Sequence, residues 1–518
     1  MELPYLPEVA AYAAGIILPL CLVFASLRLL FHPLRNYPGP LIAKFTDAYA
    51  GYYAYKRSIH LATFQDFQKY GPVVRQGPNR LVFNTLKAVH DIYTNPRVTK
   101  GDAYRGSVTS KFSTIINAID KSDHRRKRKL IGPALTERSM RTFEPVLHEQ
   151  VDVFLRTLLE ASQKHSVVNV SQSFRRLGYD IIGHLAFGYP LKTQTEEANR
   201  FVQHIIDLTS WRTYLLMNFP LLSRLELLLV LPCLRESLRF RGLVMDMIRI
   251  RSEKPADAHH DLYSMVADHI GKENGFQPAE FGSEAVFFIL AGGTTTAATM
   301  SAMLFYLTQN PVVHKKLTEE IRNTFESGRD IHAGPKLSSC RYLRACIDET
   351  LRMSPPGLGI SWRQQLAEDD GPFIVDGHVI PRGTQVGVSV YSILHNEEFF
   401  PDPFTFKPER WLREDNELDT VSKEVRDTMQ RAFIPFMVGD RSCAGKALAY
   451  MEIGVTMARC SWYFDFEPAS TGQPEFRGST SRPGEYPVGD IFIASHEGPN
   501  LVFKTRGDRW KELEQDSQ

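Results

Sequence analysis

One short segment, FMVGDRSCAGKALAY at residues 436–450, constrains this chain more than any other. Its cysteine, Cys443, precedes apolar residues at helical spacing, so we predict that a helix begins just after it. The N–H groups and the dipole at a helix start favour a thiolate. Gly439 and Gly445 permit close approach of a large planar ligand, and Arg441 could bind an anionic group on it. The segment therefore has the parts of a thiolate ligand site.

Two other interpretations of Cys443 have to be weighed. Zinc is disfavoured, because a zinc site needs further Cys or His ligands close by and the nearest other cysteine, Cys460, is seventeen residues away. A lone cysteine before a helix is more often a buried structural thiol than a ligand. Phe436, which could shield the sulfur, favours the ligand interpretation. The loop alone leaves the structural thiol open.

Composition narrows the class of protein. The chain has 518 residues, 43% of them hydrophobic and 23% charged, as in a globular protein with a large core. Its 61 basic and 59 acidic side chains give a net charge of +2, so no nucleic-acid partner is expected. Six irregularly spaced cysteines do not form a disulfide framework, which indicates a reducing compartment for the main body.

The N-terminus predicts a membrane anchor. Residues 9–27 carry no charge over about 28 Å of helix, close to the thickness of a bilayer core. Acidic residues precede this segment and arginines follow it: Glu2, Glu8, Arg28 and Arg35. This pattern favours an uncleaved anchor with the body in the cytosol over a cleaved signal peptide or a buried helix. We therefore divide the chain into an anchor and hinge at 1–35 and a body at 36–518.

The body is predicted to be mostly α with smaller β-sheets. Long amphipathic stretches dominate from about residue 120 to 355. Alternating apolar residues around turns predict a small sheet in GPVVRQGPNRLVFN and a second β region in GPFIVDGHVIPRGTQVGVSVYSIL. The segment DIFIASHEGPNLVFKTR is predicted to close the chain as a hairpin.

A central apolar segment, SEAVFFILAGGTTTAATMSAMLFYLTQNP at residues 283–311, predicts a long helix through the body. Gly292, Gly293 and three successive threonines are poor helix formers at its centre. One interpretation is a local opening that makes the hydroxyls of Thr294 and Thr295 available to a ligand or water. The alternative is close helix packing at small residues.

Charged residues recur in two further segments. In RYLRACIDETLRMSPP, Glu349 and Arg352 share one helix face, where they form either a surface ion pair or a network with Arg410 of FKPERWL. In DHRRKRKLIGPAL, five consecutive basic residues could be a localisation signal or a solvated face. His124 and Arg128 are four apart, so they could bind one anion together.

Together these segments resemble those of the cytochrome P-450 family. FMVGDRSCAG is similar to its haem-binding loop, ETLR to its Glu-x-x-Arg helix, FKPERW to its Pro-Glu-Arg meander and AGGTTT to its oxygen-binding groove. Their order and spacing agree, and the resemblance covers roughly residues 35–505. The anchor and phrases such as YGPVVRQGPN are similar to microsomal members from filamentous fungi. The implied fold is the cytochrome P-450 fold after one transmembrane helix.

By this resemblance, the chain binds haem b with Cys443 as the axial iron ligand. Haem propionates would be bound by Arg441, His124, Arg128 and Arg363. Glu349, Arg352 and Arg410 would form a structural triad without a chemical role. The sequence departs from the family at Thr294, where an acid usually precedes the groove threonine. Proton delivery would then depend on Thr295, Thr294 and water.

The implied activity is that of a monooxygenase that inserts one oxygen atom of O2 into a lipophilic small molecule, in a fungal secondary-metabolite pathway. NADPH-derived electrons would come from an NADPH-cytochrome P-450 reductase in the endoplasmic reticulum membrane. We expect the reductase to dock on basic residues: Arg126, Lys127, Lys129 and Lys446. An isomerase or dehydratase that does not consume O2, and a haem-binding sensor without turnover, are the alternatives.

Overall fold

A computed structural model describes the chain in segments: 15–16, 19–20, 23, 26–27, 29–107, 111–412, 423–470 and 482–514. The longer helices are Ala48–Tyr55, Ile59–Tyr70, Leu86–Tyr93, Lys121–Ile131, Glu137–Gln163, Val170–Phe187, Phe201–Asn218, Leu234–Ser252, Pro278–Gln309, Pro311–Thr324, Arg341–Met353, Lys423–Ala432 and Lys446–Tyr463. Shorter helices are Glu226–Val230, Leu262–Val266, Pro335–Ser338, Val390–Leu394 and Lys511–Glu514. The prediction of a mostly helical body with small sheets is confirmed.

Within the described segments, the strands form one larger and three small sheets. Strands Val73–Gly77, Arg80–Phe83, Gln385–Val388, Arg363–Gln365 and Val98–Lys100 lie in that order in the larger sheet. A three-stranded sheet has the order Val168–Asn169, Asn500–Thr505 and Phe464–Pro468. The remaining pairs are Phe373–Val375 with His378–Ile380 and Val488–Ile491 with Ile493–His496.

The predicted β regions are present, with one correction. GPVVRQGPNRLVFN forms the antiparallel pair of the larger sheet, with Val73 opposite Phe83. The closing segment does form a hairpin, but its last strand, Asn500–Thr505, leaves the hairpin and pairs with Phe464–Pro468 instead. The hairpin prediction was therefore too simple, because it assumed that neighbouring strands in sequence pair with each other.

The central helix, Pro278–Gln309, passes through the core. A capping box between Gln277 and Glu280, followed by a proline in the first turn, fixes its start. The helix is continuous through the three threonines, and the Thr294 and Thr295 hydroxyls donate to the carbonyl oxygens four residues earlier, at 2.8 and 2.9 Å. The predicted local opening is therefore wrong, because the hydroxyls are satisfied within the helix itself.

The two central glycines serve close packing instead. The helix Val170–Phe187 crosses the central helix at these positions, and a Cβ added to Gly293 would lie 2.1 Å from the Cδ1 atom of Tyr179. On the facing helix, a Cβ added to Gly178 would lie 2.6 Å from the carbonyl oxygen of Gly293. The two backbones can approach this closely only because both positions are glycine.

The membrane helix predicted at residues 9–27 lies largely outside the described residues. The described residues between Gly15 and Leu30 are helical and exposed. Among all described residues, one helix is long and apolar enough to cross a membrane, namely the central helix, and 67% of its apolar window is buried within the body.

Candidate active site

The loop around Cys443 presents an accessible thiol. Cys443 donates its backbone N–H to the carbonyl oxygen of Phe436 at 2.9 Å, and the predicted helix, Lys446–Tyr463, begins three residues later. Gly439 has a φ of +80°, and a Cβ there would lie 1.9 Å from the carbonyl oxygen of Tyr93. Any other residue at this position would push the loop away from Tyr93.

Among the cysteines in the described part of the chain, Cys443 is exposed, whereas Cys233, Cys340, Cys346 and Cys460 are buried. Protein atoms nevertheless crowd its sulfur: loss of hydration raises the pKa of the Cys443 thiol, against the opposing effects of the Gly445 N–H and nearby cations. A thiol that is both crowded and accessible lies at the wall of a recess. This placement disfavours the structural-thiol interpretation.

Gly445 and Phe436 form the rest of the loop. A Cβ on Gly445 would meet no atom of the described residues within 4 Å, so no protein contact requires glycine there. A ligand that approaches the backbone closely would require it. The Phe436 ring packs against Tyr450, with ring centroids 5.2 Å apart, beside the thiol-bearing loop.

A cluster of basic side chains lies next to this loop. Arg128 donates to the carbonyl oxygen of Ser442 at 3.1 Å, and Arg441 donates from Nη1 to the carbonyl oxygen of Ala118 at 2.8 Å. The second terminal nitrogen of Arg441, Nη2, is buried and has no hydrogen-bond partner among the described residues. A buried guanidinium nitrogen without an acceptor fits an anionic ligand group.

The cluster members destabilise one another electrostatically. Burial lowers the pKa of Arg441 to about 10, with a further contribution from Arg363. Burial, followed by the charges of Arg441 and Lys100, lowers the pKa of His124 to about 3. Positive charge concentrated in this way favours the binding of an anionic group.

Lys100 also belongs to this cluster, although it was not predicted from the sequence. Lys100 lies opposite Arg363 in the sheet and is buried, and its ammonium group donates to the carbonyl oxygen of Ile115 at 3.0 Å. A single lysine in a three-residue strand has no sequence signal, and only the register with Arg363 brings it to the site.

The Glu349 carboxylate is the centre of a buried ionic network. Arg352 donates to both of its oxygens, at 3.0 and 2.9 Å, and Arg410 donates to one of them at 3.0 Å. The backbone N–H of Lys407 and the indole N–H of Trp411 also donate to it. Glu349 and Arg352 are both fully buried, so the surface-pair alternative is wrong.

Of the four basic residues expected at a docking surface, Lys127 lies inside the protein and Arg126 is only partly exposed. Lys127 is fully buried and contacts Glu280 and, at 3.1 Å, Glu284. Arg126 bonds to Glu280 and Asp123. Both side chains lie on the face of the helix Lys121–Ile131 that points towards the acidic start of the central helix, which explains why they pair with acidic residues there.

A cavity of about 500 Å³ lies beside the central helix. It is predominantly apolar, and its lining includes Phe112, Ile205, Phe240, Val286 and Leu290. Sequence position alone predicts substrate contacts from four apolar segments: 107–119, 211–219, 289–295 and 355–361. The first contributes several lining residues, the second contributes Arg212 and the third Leu290, whereas the fourth contributes none.

These observations can be tested against haem, which needs an accessible axial ligand and cations for its two carboxylates. The accessible Cys443 thiol provides the former. The basic cluster, in which one Arg441 nitrogen has no hydrogen-bond partner in the described part of the chain, provides the latter. The residues present therefore fit the group.

Comparisons with known proteins agree with this geometry. The family model described as cytochrome P-450 matches residues 45–513. The cytochrome P-450 monooxygenase poxM of Penicillium oxalicum is 34% identical over 87% of this chain and 88% of its own length. The monooxygenase atnE of Emericella nidulans is 30% identical over 96% of this chain and 97% of its own length. The monooxygenase apf7 of Gibberella fujikuroi is 32% identical over 95% of this chain and 97% of its own length. The chain therefore belongs to the cytochrome P-450 family, and it is an oxidoreductase of the monooxygenase type.

Proposed function

We propose that this protein binds haem b through Cys443 and inserts one oxygen atom of O2 into a lipophilic small molecule, as one step of a fungal secondary-metabolite pathway. The observation that carries the proposal is the accessible thiol beside a basic cluster in which the Nη2 atom of Arg441 is buried and has no hydrogen-bond partner among the described residues. When bound, the haem iron supplies the oxygen chemistry, and a thiolate ligand favours cleavage of the O–O bond.

The chain's own residues would hold the group in place. Cys443 would supply the axial thiolate, and Phe436, Gly439 and Gly445 would shape the loop around it. The two propionates would be bound by the basic cluster: Arg441, His124, Arg128, Arg363 and Lys100. The unpartnered Nη2 atom of Arg441 gives the strongest support, because a propionate oxygen would satisfy it.

The Glu349 network would preserve the core beneath this site. Arg352 joins Glu349 to the carbonyl oxygens of Leu394 and Pro403, at 2.9 and 2.7 Å. It thereby connects the helix Arg341–Met353 to the chain that leads to the cysteine loop. We propose a structural role for Glu349, Arg352 and Arg410 and no direct part in the reaction.

Two hydroxyls would take part in proton transfer. The Thr295 side chain is partly exposed, whereas Thr294 is buried. We therefore assign the main role to Thr295, with Thr294 in a lesser one. Water would complete the route, because a threonine hydroxyl can pass a proton on but cannot store one.

The substrate would enter the 500 Å³ cavity. Its volume and apolar lining suit a lipophilic molecule of modest size. In its lining, Arg212 donates to Glu226 at 2.7 Å, so these two charges neutralise each other, and Arg241 adds one positive charge. This balance disfavours a strongly cationic substrate.

We also propose an endoplasmic reticulum location, with residues 1–35 as anchor and hinge and 36–518 as the catalytic domain in the cytosol. Exposed leucines along 221–238 support membrane contact: Leu221, Leu225, Leu228, Leu231, Leu234 and Leu238. An NADPH-cytochrome P-450 reductase would dock near Arg125, Lys129 and Lys446, which are exposed.

Product analysis with 18O2 tests this function. The full chain is reconstituted in membranes with haem, NADPH and a fungal reductase, and candidate lipophilic substrates are supplied. We expect NADPH consumption and one labelled oxygen atom per product molecule. Conversion without NADPH would indicate the isomerase or dehydratase alternative. Haem binding without turnover of any substrate that shifts the haem spectrum would indicate the sensor.

A further inference from the structure

We propose that Glu144, His148 and His332 form a binding site for a divalent transition metal ion such as Zn2+, separate from the haem site. Glu144 and His148 are four residues apart on the helix Glu137–Gln163, and His332 comes from the loop before the helix Pro335–Ser338. One carboxylate and two imidazoles are the ligand types that zinc prefers.

The three ligand atoms have the spacing that such an ion requires. Nε2 of His148 lies 3.2 Å from Oε1 of Glu144 and 3.0 Å from Nδ1 of His332, and the last two atoms are 3.6 Å apart. A triangle with these sides has a circumradius of about 1.9 Å. An ion about 2.1 Å from each atom would therefore lie about 0.9 Å outside their plane, with its other positions open to water.

The carboxylate is held in place before any ion arrives. The backbone N–H of Ala333 donates to Oε1 of Glu144, which ties the histidine-bearing loop to the helix. The two imidazole rings are already in contact, with centroids 4.5 Å apart. Little reorganisation is needed for binding, because the ligands come from two segments that the fold already joins.

A neighbouring cation limits the affinity. Arg459, on the helix Lys446–Tyr463, lies with Nη1 3.4 Å from Nδ1 of His148 and bonds more closely to Asp152. When Nε2 binds a metal, Nδ1 must carry the ring proton and would face this guanidinium. With three protein ligands and this opposing charge, we expect micromolar rather than nanomolar zinc binding.

The site is distinct from the haem site. Arg459 lies about 20 Å along its helix from the end that adjoins Cys443. The ion would join the helix Glu137–Gln163 to the loop at 331–334, so it would stabilise the folded state without entering the reaction.

The test is zinc titration of the haem-loaded full chain by calorimetry, with zinc X-ray absorption to identify the ligands. We expect one ion per chain and scattering from two imidazoles. His148→Ala, His332→Ala and Glu144→Gln should each weaken binding at least tenfold. His204→Ala, which removes an exposed histidine elsewhere, should leave the affinity unchanged.

His332 is 61% exposed, so its replacement disturbs no core packing and gives the decisive variant if another misfolds. Unchanged zinc affinity in His332→Ala, or the absence of imidazole scattering in the wild type, would overturn the proposal. In that case the three residues form an ordinary hydrogen-bond network. Haem absorption, measured in every sample, keeps this result separate from the proposed oxygenase function.

Discussion

The Thr296 hydroxyl donates a 2.7 Å hydrogen bond to Oε1 of the Glu452 carboxyl group and thereby joins the central helix to the helix that follows Cys443. Both residues are buried. Burial raises the pKa of Glu452 to about 8, so this carboxyl carries a proton at neutral pH. This acid could not be predicted from a local sequence pattern, because its hydrogen-bond partner lies 156 residues away in the chain.

This pKa predicts a pH dependence of stability. The folded chain keeps the Glu452 proton up to about pH 8, whereas the unfolded chain releases it near 4.5. The contribution of Glu452 to the free energy of unfolding is therefore complete below pH 4.5 and is lost as the pH rises to about 8. Glu452→Gln, a neutral mimic, should remove this loss, which is on the order of 2 to 4 kcal/mol. The measurement is the free energy of unfolding, obtained by chemical denaturation of the wild type and Glu452→Gln from pH 5 to pH 9. The same dependence of this free energy on pH in both proteins would contradict the assigned pKa.

Cys443→Ala should abolish turnover and the spectral signature of thiolate ligation. In the wild type, we expect the reduced CO complex to show the red-shifted absorption of a thiolate-ligated haem. Cys460→Ala is the matched control, since it removes a buried thiol from the helix that follows the cysteine loop. A wild-type CO spectrum like that of a histidine-ligated haem would exclude Cys443 as the ligand.

Glu349→Ala or Arg352→Ala should give protein that cannot retain haem. Glu349→Ala leaves two buried guanidinium groups without their carboxylate, and Arg352→Ala leaves the buried carboxylate with Arg410 as its remaining cation; breaking such a buried pair costs on the order of 3 to 5 kcal/mol. The exposed pair Arg249 and Glu253 provides a control, because its removal should change stability by less than about 1 kcal/mol. Haem content and thermal unfolding are the measurements. Normal values for both in either buried-site variant would refute the structural role.

Thr295→Ala should keep haem and substrate binding but divert NADPH consumption from product to peroxide. Thr294→Ala should do so more weakly, because the Thr294 side chain is buried, whereas that of Thr295 is partly exposed. Product formed per NADPH oxidised, measured with the same reductase, compares the two. If Thr295→Ala keeps the wild-type yield of product per NADPH while Thr294→Ala lowers it, the main role in proton transfer belongs to Thr294 instead. A wild-type yield of product per NADPH in both variants would indicate a proton route that involves neither threonine.

The local parts of the site could be predicted from the sequence. The helix after Cys443 follows from apolar spacing, and Glu349 and Arg352 are neighbours because they are three residues apart on one helix. The complete burial of the Glu349 network was not predictable, since Arg352 bonds to carbonyl oxygens more than 40 residues away in the chain. Periodicity describes one helix, whereas burial depends on what packs against it.

The basic run at 123–135 illustrates the same limit. Its composition does not distinguish exposed Arg125 and Lys129 from Lys127, which is fully buried. The partners of Lys127, Glu280 and Glu284, lie over 150 residues further along the chain and were not considered with it. Long-range charge pairing of this kind leaves no trace in a local pattern.

The crossing of Gly178 and Gly293 has a consequence for how this protein can diversify. Because backbone touches backbone there, the central helix is fixed at its midpoint and cannot move to fit a new substrate. Its first turns, which line the cavity between Ala279 and Leu290, have side chains that can vary without moving that midpoint. We therefore expect substrate preference to evolve in this half of the helix, while the glycine crossing holds the distance to the cysteine loop constant.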